Sequence, residues 1–185
     1  MASDPEVLEG DEQYFEEGER RRRNRVFDAA LLQEPLHRLV ARKPLIFAPA
    51  GTATVAMRAM QRERRGCVLV TSDGTPGSRL IGIFSERDVL YRIVDRGRNP
   101  ANLPLSEVMT PDPESLPEEA SIAWVLNKMA VGGFRHVPVI DAEGRPVFVV
   151  SVRDVVEFLV DFFPNDVLNL PPEYGPPRSA KREGA

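Results

Sequence analysis

The sequence predicts an α+β protein built from two copies of one β-α-β-β-α unit, and three observations carry that reading. The segment Ser85-Glu86-Arg87-Asp88-Val89-Leu90-Tyr91-Arg92-Ile93-Val94-Asp95 returns 66 residues later as Ser151-Val152-Arg153-Asp154-Val155-Val156-Glu157-Phe158-Leu159-Val160-Asp161. A second register, at a spacing of 69, relates Pro35, Leu36, Pro44, Met60, Val68 and Val70 to Pro104, Leu105, Pro113, Met129, Val137 and Val139. Helical and extended apolar patterns also follow one another in the same order in both copies, the signature of a duplicated supersecondary unit. The two spacings differ because the turn at residues 71–78 outgrows its counterpart, a change that exposed turns tolerate.

The elements are expected in this order. Residues 1–25 form a polar extension divided by sign: eight acids precede Arg20, and Arg20, Arg21, Arg22, Arg23 and Arg25 follow. Such a segment cannot bury a core. Phe27, Leu31, Leu32, Leu36, Leu39 and Val40 suggest a lead-in helix at residues 26–34, broken near Pro35 and docking on the first repeat. The first repeat, residues 35–98, reads as an extended piece at 45–48, a helix at 52–64, a strand at 67–71, a strand at 80–84 and a helix at 85–96. After a linker at 99–103, the second repeat at 104–163 copies it with residues 115–116, 121–131, 137–140, 147–150 and 151–163. Thr52 and Ser121 stand at matching N-cap positions ahead of apolar stripes containing Val55, Ala56, Met60 and Val125, Leu126, Met129. Asp73-Gly74 and Glu143-Gly144 mark turns between β-branched runs. Pro164 stops the last helix, a Pro-rich tail follows at 164–185, and beyond Leu170 it is expected to be mobile.

Composition narrows the class. With 185 residues, 42% hydrophobic content and a net charge of −4, the chain is of ordinary globular type, without a basic excess that would make nucleic acid the default partner. The lone cysteine, Cys67, lies in an apolar run, cannot form an internal disulfide and reads as buried packing in a reducing compartment. The N-terminus lacks a signal peptide's apolar stretch, and no apolar run approaches the roughly 18 residues that a membrane span needs. A cytoplasmic location without membrane association is expected. Two histidines and one cysteine far apart give no zinc spacing, and no phosphate-binding loop or nucleophile elbow is present, so no enzyme activity is expected.

The duplicated order, with Gly82-Ile83-Phe84-Ser85-Glu86-Arg87-Asp88 at a strand-to-helix junction, Val108-Met109-Thr110-Pro111 in the linker and Arg135-His136-Val137-Pro138-Val139-Ile140-Asp141 in the second copy, resembles a tandem of cystathionine β-synthase (CBS) domains, the Bateman module. The resemblance spans roughly residues 35–163. It implies two repeats related by a pseudo-twofold axis, clefts between them that bind an adenine nucleotide or adenosyl compound, and a regulatory role without catalysis. The family's Gly-hydrophobic-hydrophobic-Ser/Thr-x-x-Asp motif is matched by Gly82, Ser85 and Asp88; the aspartate would hold the ribose hydroxyls and the serine the ribose or phosphate. Ser151 and Asp154 match in the second copy. There Phe148 replaces the glycine, which implies less room for a ligand to approach the backbone.

The resemblance further implies clefts assembled crosswise. One would join Ser151, Asp154, Arg135 and His136 to Lys43, Pro44 and Leu45, and the other Ser85 and Asp88 to Thr110, Asp112 and Glu114, with Arg87 and Arg153 adding charge. Gly66 and Cys67 stand where the second copy has Arg135 and His136, so the cleft with the latter pair should take the more highly charged phosphate chain. The chemistry is sound in itself, because a carboxylate accepts from both hydroxyls of a cis-diol and free amides at a helix start suit an anion. No cofactor is required; AMP, ADP, ATP, NAD and S-adenosylmethionine are the candidate ligands. By the same resemblance, helix faces would pair two chains into a homodimer that relays occupancy to an unidentified regulated protein.

Plainer readings stand beside these. Each Ser-x-x-Asp also serves as an N-cap with an acid in the first turn, Arg135 and His136 also read as solvated rim residues, His37 as a surface residue and Trp124 as core or dimer packing. The arginine run at 20–25 could grip phosphates, but the acids upstream compete for it and no aromatic residues interleave. A ligand-free dimerisation scaffold with charged tails for protein or nucleic acid is the alternative function.

Overall fold

The computed structural model describes residues 29–39, 42–162 and 167–170. The charged extension, the arginine run, the start of the lead-in helix and nearly all of the Pro-rich tail lie outside them.

Strand β1 (Ile46–Phe47), helix α1 (Ala53–Glu63), strand β2 (Cys67–Thr71), strand β3 (Leu80–Ser85) and helix α2 form the first repeat; α2 starts at Glu86–Asp88 and continues with π-helical winding through Val89–Val94. A 3-10 turn (Pro100–Asn102) and short helix α3 (Leu105–Val108) lead to strand β4 (Thr110–Pro111). The second repeat comprises β5 (Leu116–Pro117), α4 (Ile122–Ala130), β6 (His136–Ile140), β7 (Pro146–Ser151) and α5 (Val152–Val160). The predicted β-α-β-β-α order is therefore present twice. The sheets run β1-β2-β3-β4 and β5-β6-β7, with β1 and β5 parallel to their neighbours and the long pairs antiparallel. Even the irregularities repeat: the β2–β3 register shifts at Val70/Thr71 and the β6–β7 register at the equivalent Val139/Ile140.

The apolar pattern explains the layering. Every residue of β2 is buried. Val68 and Val70 join Ala53, Ala56, Met60 and Phe84 under the helices, while Cys67 and Leu69 meet Leu80 and Val149 in a smaller cluster that joins the two repeats. A strand covered on both faces requires a continuous apolar run rather than an alternating one.

Each repeat is completed by the segment that precedes the other. Leu36 and Leu39 pack with Leu116, Ile122, Val125 and Val137 of the second repeat, whereas Leu105 and Val108 pack with Ala53, Val68 and Phe84 of the first. The lead-in segment thus docks on the second repeat, contrary to the expectation of docking on the first, and it is a pair of 3-10 turns (Ala29–Gln33 and Leu36–Arg38). Pro35 separates them because it lacks an N–H and fixes its own φ. The exchange is symmetrical at the backbone: Ile122 N donates to Glu34 O (2.9 Å) and Ala53 N to Leu103 O (2.8 Å). These carbonyls reach the helix starts. Consequently Thr52 and Ser121 occupy their N-cap positions without a side-chain cap, and instead bridge Pro104 and Pro35 through the backbone.

Candidate functional site

Two clefts lie within the unit Phe27–Phe158, each reached by one Ser-x-x-Asp helix start. At the start of α5, Asp154 Oδ2 accepts from Ser151 N (2.7 Å) and Ser151 Oγ (2.6 Å). At the start of α2, Asp88 Oδ2 accepts from Ser85 N (2.8 Å) and Ser85 Oγ (2.7 Å). Both aspartates are nearly buried, at 8% and 7% exposure. The duplicated motif therefore does build two N-caps, which hold each carboxylate in a fixed position beside its cleft.

The Asp154 cleft, about 280 Å³, is lined by Pro44, Leu45, Arg135, His136, Ser151, Arg153 and Asp154, which the sequence reading grouped together. The Lys43 side chain does not line it; the Lys43 carbonyl accepts from Nη2 of the lining residue Arg65 (3.1 Å). Arg42, Arg64 and Arg65 line it and were missed. Arg64 ends α1 in the left-handed conformation (φ 50°), which turns the chain into β2 and sets the Arg64-Arg65 pair at the cleft mouth. The run Arg62-Glu63-Arg64-Arg65-Gly66 closing an amphipathic helix was the available signal. Arg42 forms a bridge to Val149 at the edge of β7, as Thr110 pairs with Ile83 at the edge of β3.

The Asp88 cleft, about 580 Å³, is lined by Ser85, Arg87, Asp88, Thr110, Asp112 and Glu114, again as grouped, and also by Leu90, Tyr91 and Phe134. Arg135 and His136 line this cleft as well as the other, and so does Glu86. The expectation that Arg135 and His136 belong to one cleft is thereby corrected: they form part of a shared wall. A Cβ at Gly66 would lie 2.5 Å from His136 Nε2, so the equivalent loops of the two repeats meet here and one must be small. Charge still separates the clefts. Five arginines and two acids line the first; Arg87 and Arg135 face Glu86, Asp88, Asp112 and Glu114 in the second.

Gly82 lines neither cleft. Its missing side chain makes room for Met109, whose Sδ would be 2.3 Å from a Cβ there, beside the Gly82–Pro111 pairing of β3 with β4. The equivalent Phe148 is buried in the second core, so the glycine-to-phenylalanine difference concerns packing and not the room left for a ligand.

Burial lowers the His136 pKa below the usual imidazole range against the opposing pull of Glu86 and Asp154, with Arg135 lowering it further. Burial also raises the Cys67 thiol pKa to about 12, so Cys67 is a packed thiol at the cleft floor. Arg153 donates to Glu157 (2.7 Å), which raises its already high pKa. No helix among the described residues is long and apolar enough to cross a membrane.

Comparison with known proteins agrees with this architecture. A chain of 29% identity over 123 residues is the CBS domain-containing protein CBSCBSPB3 of Arabidopsis thaliana; the match covers 66% of this chain but 21% of that one. A 17.7 kDa uncharacterised protein of Acidianus ambivalens is 29% identical over 119 residues, 64% of this chain and 69% of its own. Among solved structures, a CBS-domain protein of Agrobacterium tumefaciens superposes with a TM-score of 0.59 at 26% identity, covering 68% of this chain and 99% of that one. A CBS domain protein of Pyrobaculum aerophilum complexed with AMP superposes with a TM-score of 0.62 at 23% identity, covering 71% and 99%. The CBS domain family matches residues 37–95 and 105–161, the two repeats whose exchanged segments and paired clefts are described above, and the chain belongs to that family.

Proposed function

We propose that this protein is a regulatory CBS pair that binds an adenine nucleotide between its repeats and relays occupancy to its own dimer or to a regulated protein. The observation that carries this reading is the Asp154 cleft, where a carboxylate fixed by its own N-cap faces Arg42, Arg64, Arg65 and Arg135 across a small cavity. A cis-diol needs an acceptor that takes two hydroxyls, and a phosphate chain needs clustered cations; here both lie in one cleft. The AMP complex of the Pyrobaculum neighbour supports an adenosine phosphate as ligand. The cleft with five arginines is the one suited to the more highly charged phosphate chain, as the sequence suggested, although the missed arginines and not Arg135 and His136 make the difference. Catalysis is not part of the proposal.

Exposed apolar residues on the helices, Leu90, Tyr91 and Val94 on α2 and Val152 and Val156 on α5, supply faces for a homodimer, and Trp124, at 58% exposure, belongs to the surface and not the core. Calorimetric titration with AMP and ATP tests the reading. Saturable binding that Asp154→Ala abolishes supports it; flat traces with both nucleotides, on protein that melts normally, refute it and favour the scaffold.

A further inference from the structure

The two aspartates differ in how much of each carboxylate the protein itself uses. Asp88 Oδ2 is capped by Ser85, and its Oδ1 accepts from Thr110 Oγ1 (3.0 Å) and lies 3.2 Å from Arg92 Nε, one helical turn on. Arg92 is held in place in turn, with Nη1 on Met109 O (2.5 Å) and Nη2 on Thr110 Oγ1 (3.1 Å). A carboxylate offers about four acceptor sites; Ser85 and Thr110 fill three of those on Asp88 by hydrogen bonds, and the Arg92 guanidinium is ion-paired against the remaining side of Oδ1, where a ribose hydroxyl would have to displace it. Asp154 uses only Oδ2, for Ser151, and no described residue donates to its Oδ1. The position equivalent to Arg92 is Phe158, which carries no side-chain donor and packs against the second core. The residue that pairs with the edge of β7 as Thr110 pairs with the edge of β3 is Arg42, which lines the Asp154 cleft without a hydrogen bond to that carboxylate.

We infer that Arg92 decides which cleft takes the nucleoside: together with Thr110 it occupies the Asp88 carboxylate as a built-in substitute for ribose hydroxyls. Among the described residues, Asp154 is left as the open carboxylate of the two. The latch also pins β4, because the guanidinium that binds Asp88 also binds the Met109 carbonyl and the Thr110 hydroxyl. Filling the Asp88 cleft therefore requires β4 to be released from α2, whereas ribose binding at Asp154 Oδ1 displaces no bond made by a described residue. The inference rests on the nucleotide reading above, and stoichiometry separates the two.

Titration of the full chain with AMP is expected to give one equivalent per chain, lost in Asp154→Ala. Arg92→Met, which keeps the aliphatic stem, is expected to bind two equivalents. Arg92→Met combined with Asp154→Ala should bind one, which a further Asp88→Ala removes. Thr110→Val, the milder opening of the same latch, should strengthen the second site by at least tenfold relative to the parent chain, and it decides the matter if Arg92→Met fails to fold. Two equivalents of similar affinity in the parent chain, or a single equivalent that Asp88→Ala abolishes, would overturn the inference and leave the nucleotide reading standing. One equivalent retained in both Arg92→Met and Thr110→Val would also overturn it. Absence of binding in the parent and every variant would sink both.

Discussion

The two clefts begin from the same duplicated motif and end with opposite chemistry. Both present a serine-capped aspartate at a helix start, and both share Glu86, Arg135 and His136 as a wall. Around Asp154 the remaining wall is basic, drawn from the end of α1 and the segment before β1. Around Asp88 it is acidic, with Asp112 and Glu114 drawn from the loop between β4 and β5, and the carboxylate is ion-paired with Arg92 and accepts from Thr110. A duplicated cap preserves the position of a functional group, while residues one helical turn away and in the α–β loops set what that group is free to bind.

The symmetry of the fold can be broken most strongly at the exchanged segments. Leu36 and Leu105 are equivalent and fully buried, each in the core of the repeat it does not precede. Leu→Ala at either is expected to destabilise by about 2–5 kcal/mol through lost transfer energy and a residual cavity. Hydrogen exchange should show Leu36→Ala loosening β6 and β7 first and Leu105→Ala loosening β2 and β3. The reverse pattern would contradict the crosswise docking.

The next largest effect concerns charge. Arg135 faces both clefts, so Arg135→Ala should weaken ATP binding by about 10- to 100-fold, the equivalent of one charge-assisted hydrogen bond, while adenosine affinity changes little. Competition titrations with the two ligands measure the split. An equal loss for both would mean that Arg135 holds the shape of the wall and not the phosphate.

Much of this was legible in the sequence, and the legible parts are local. Ser85 with Asp88, and Ser151 with Asp154, lie three residues apart, so their cap follows from helix geometry alone. The strands were recognisable because β2 and β6 are short β-branched runs bounded by turn residues. What escaped depends on contacts distant along the chain. Leu36 looks like any apolar residue of a lead-in helix until Ala120 accepts from its N–H. Thr110-Pro111 reads as linker because only Gly82 and Ile83, nearly thirty residues earlier, make it a strand. Gly82 invited a ligand-approach reading, yet Met109 takes up the space. Arg92 sat in plain view one turn after Asp88, but an Asp-to-Arg spacing of four is common on solvated helix faces, and the burial of Asp88 together with the bonds of Arg92 to Met109 and Thr110 is what gives it meaning.

Glycines sharpen the comparison on a smaller scale. Gly82→Ala should cost about 1 kcal/mol as Met109 shifts, with nucleotide affinity unchanged, because Gly82 faces packing. Gly66→Ala should instead displace His136 and alter affinity in both clefts, since the new methyl group meets the imidazole directly. Melting curves and titrations on the two variants separate these outcomes. A loss of affinity in Gly82→Ala without loss of stability would return Gly82 to the ligand site.

The smallest effect expected is a pH dependence that belongs to His136. Burial holds its pKa below the usual imidazole value, so at neutral pH the side chain is uncharged while Glu86 and Asp154 pull the other way. For stability the sign follows from the lowered folded pKa: the contribution is complete above about pH 6.5, the unfolded value, and falls as pH drops toward the folded one. For binding the sign is reversed. A phosphate placed against the shared wall favours the imidazolium, raises the pKa of His136 and draws a proton into the complex. Affinity for AMP should therefore rise a few-fold between about pH 7.5 and pH 6, a modest change because Arg135 opposes the added charge. The ligand phosphate also titrates near pH 6, so the decisive quantity is the difference between the parent chain and His136→Gln. If the two profiles run parallel, no proton reaches His136 on binding, and the phosphate lies toward Arg42, Arg64 and Arg65 instead, away from the wall that the clefts share.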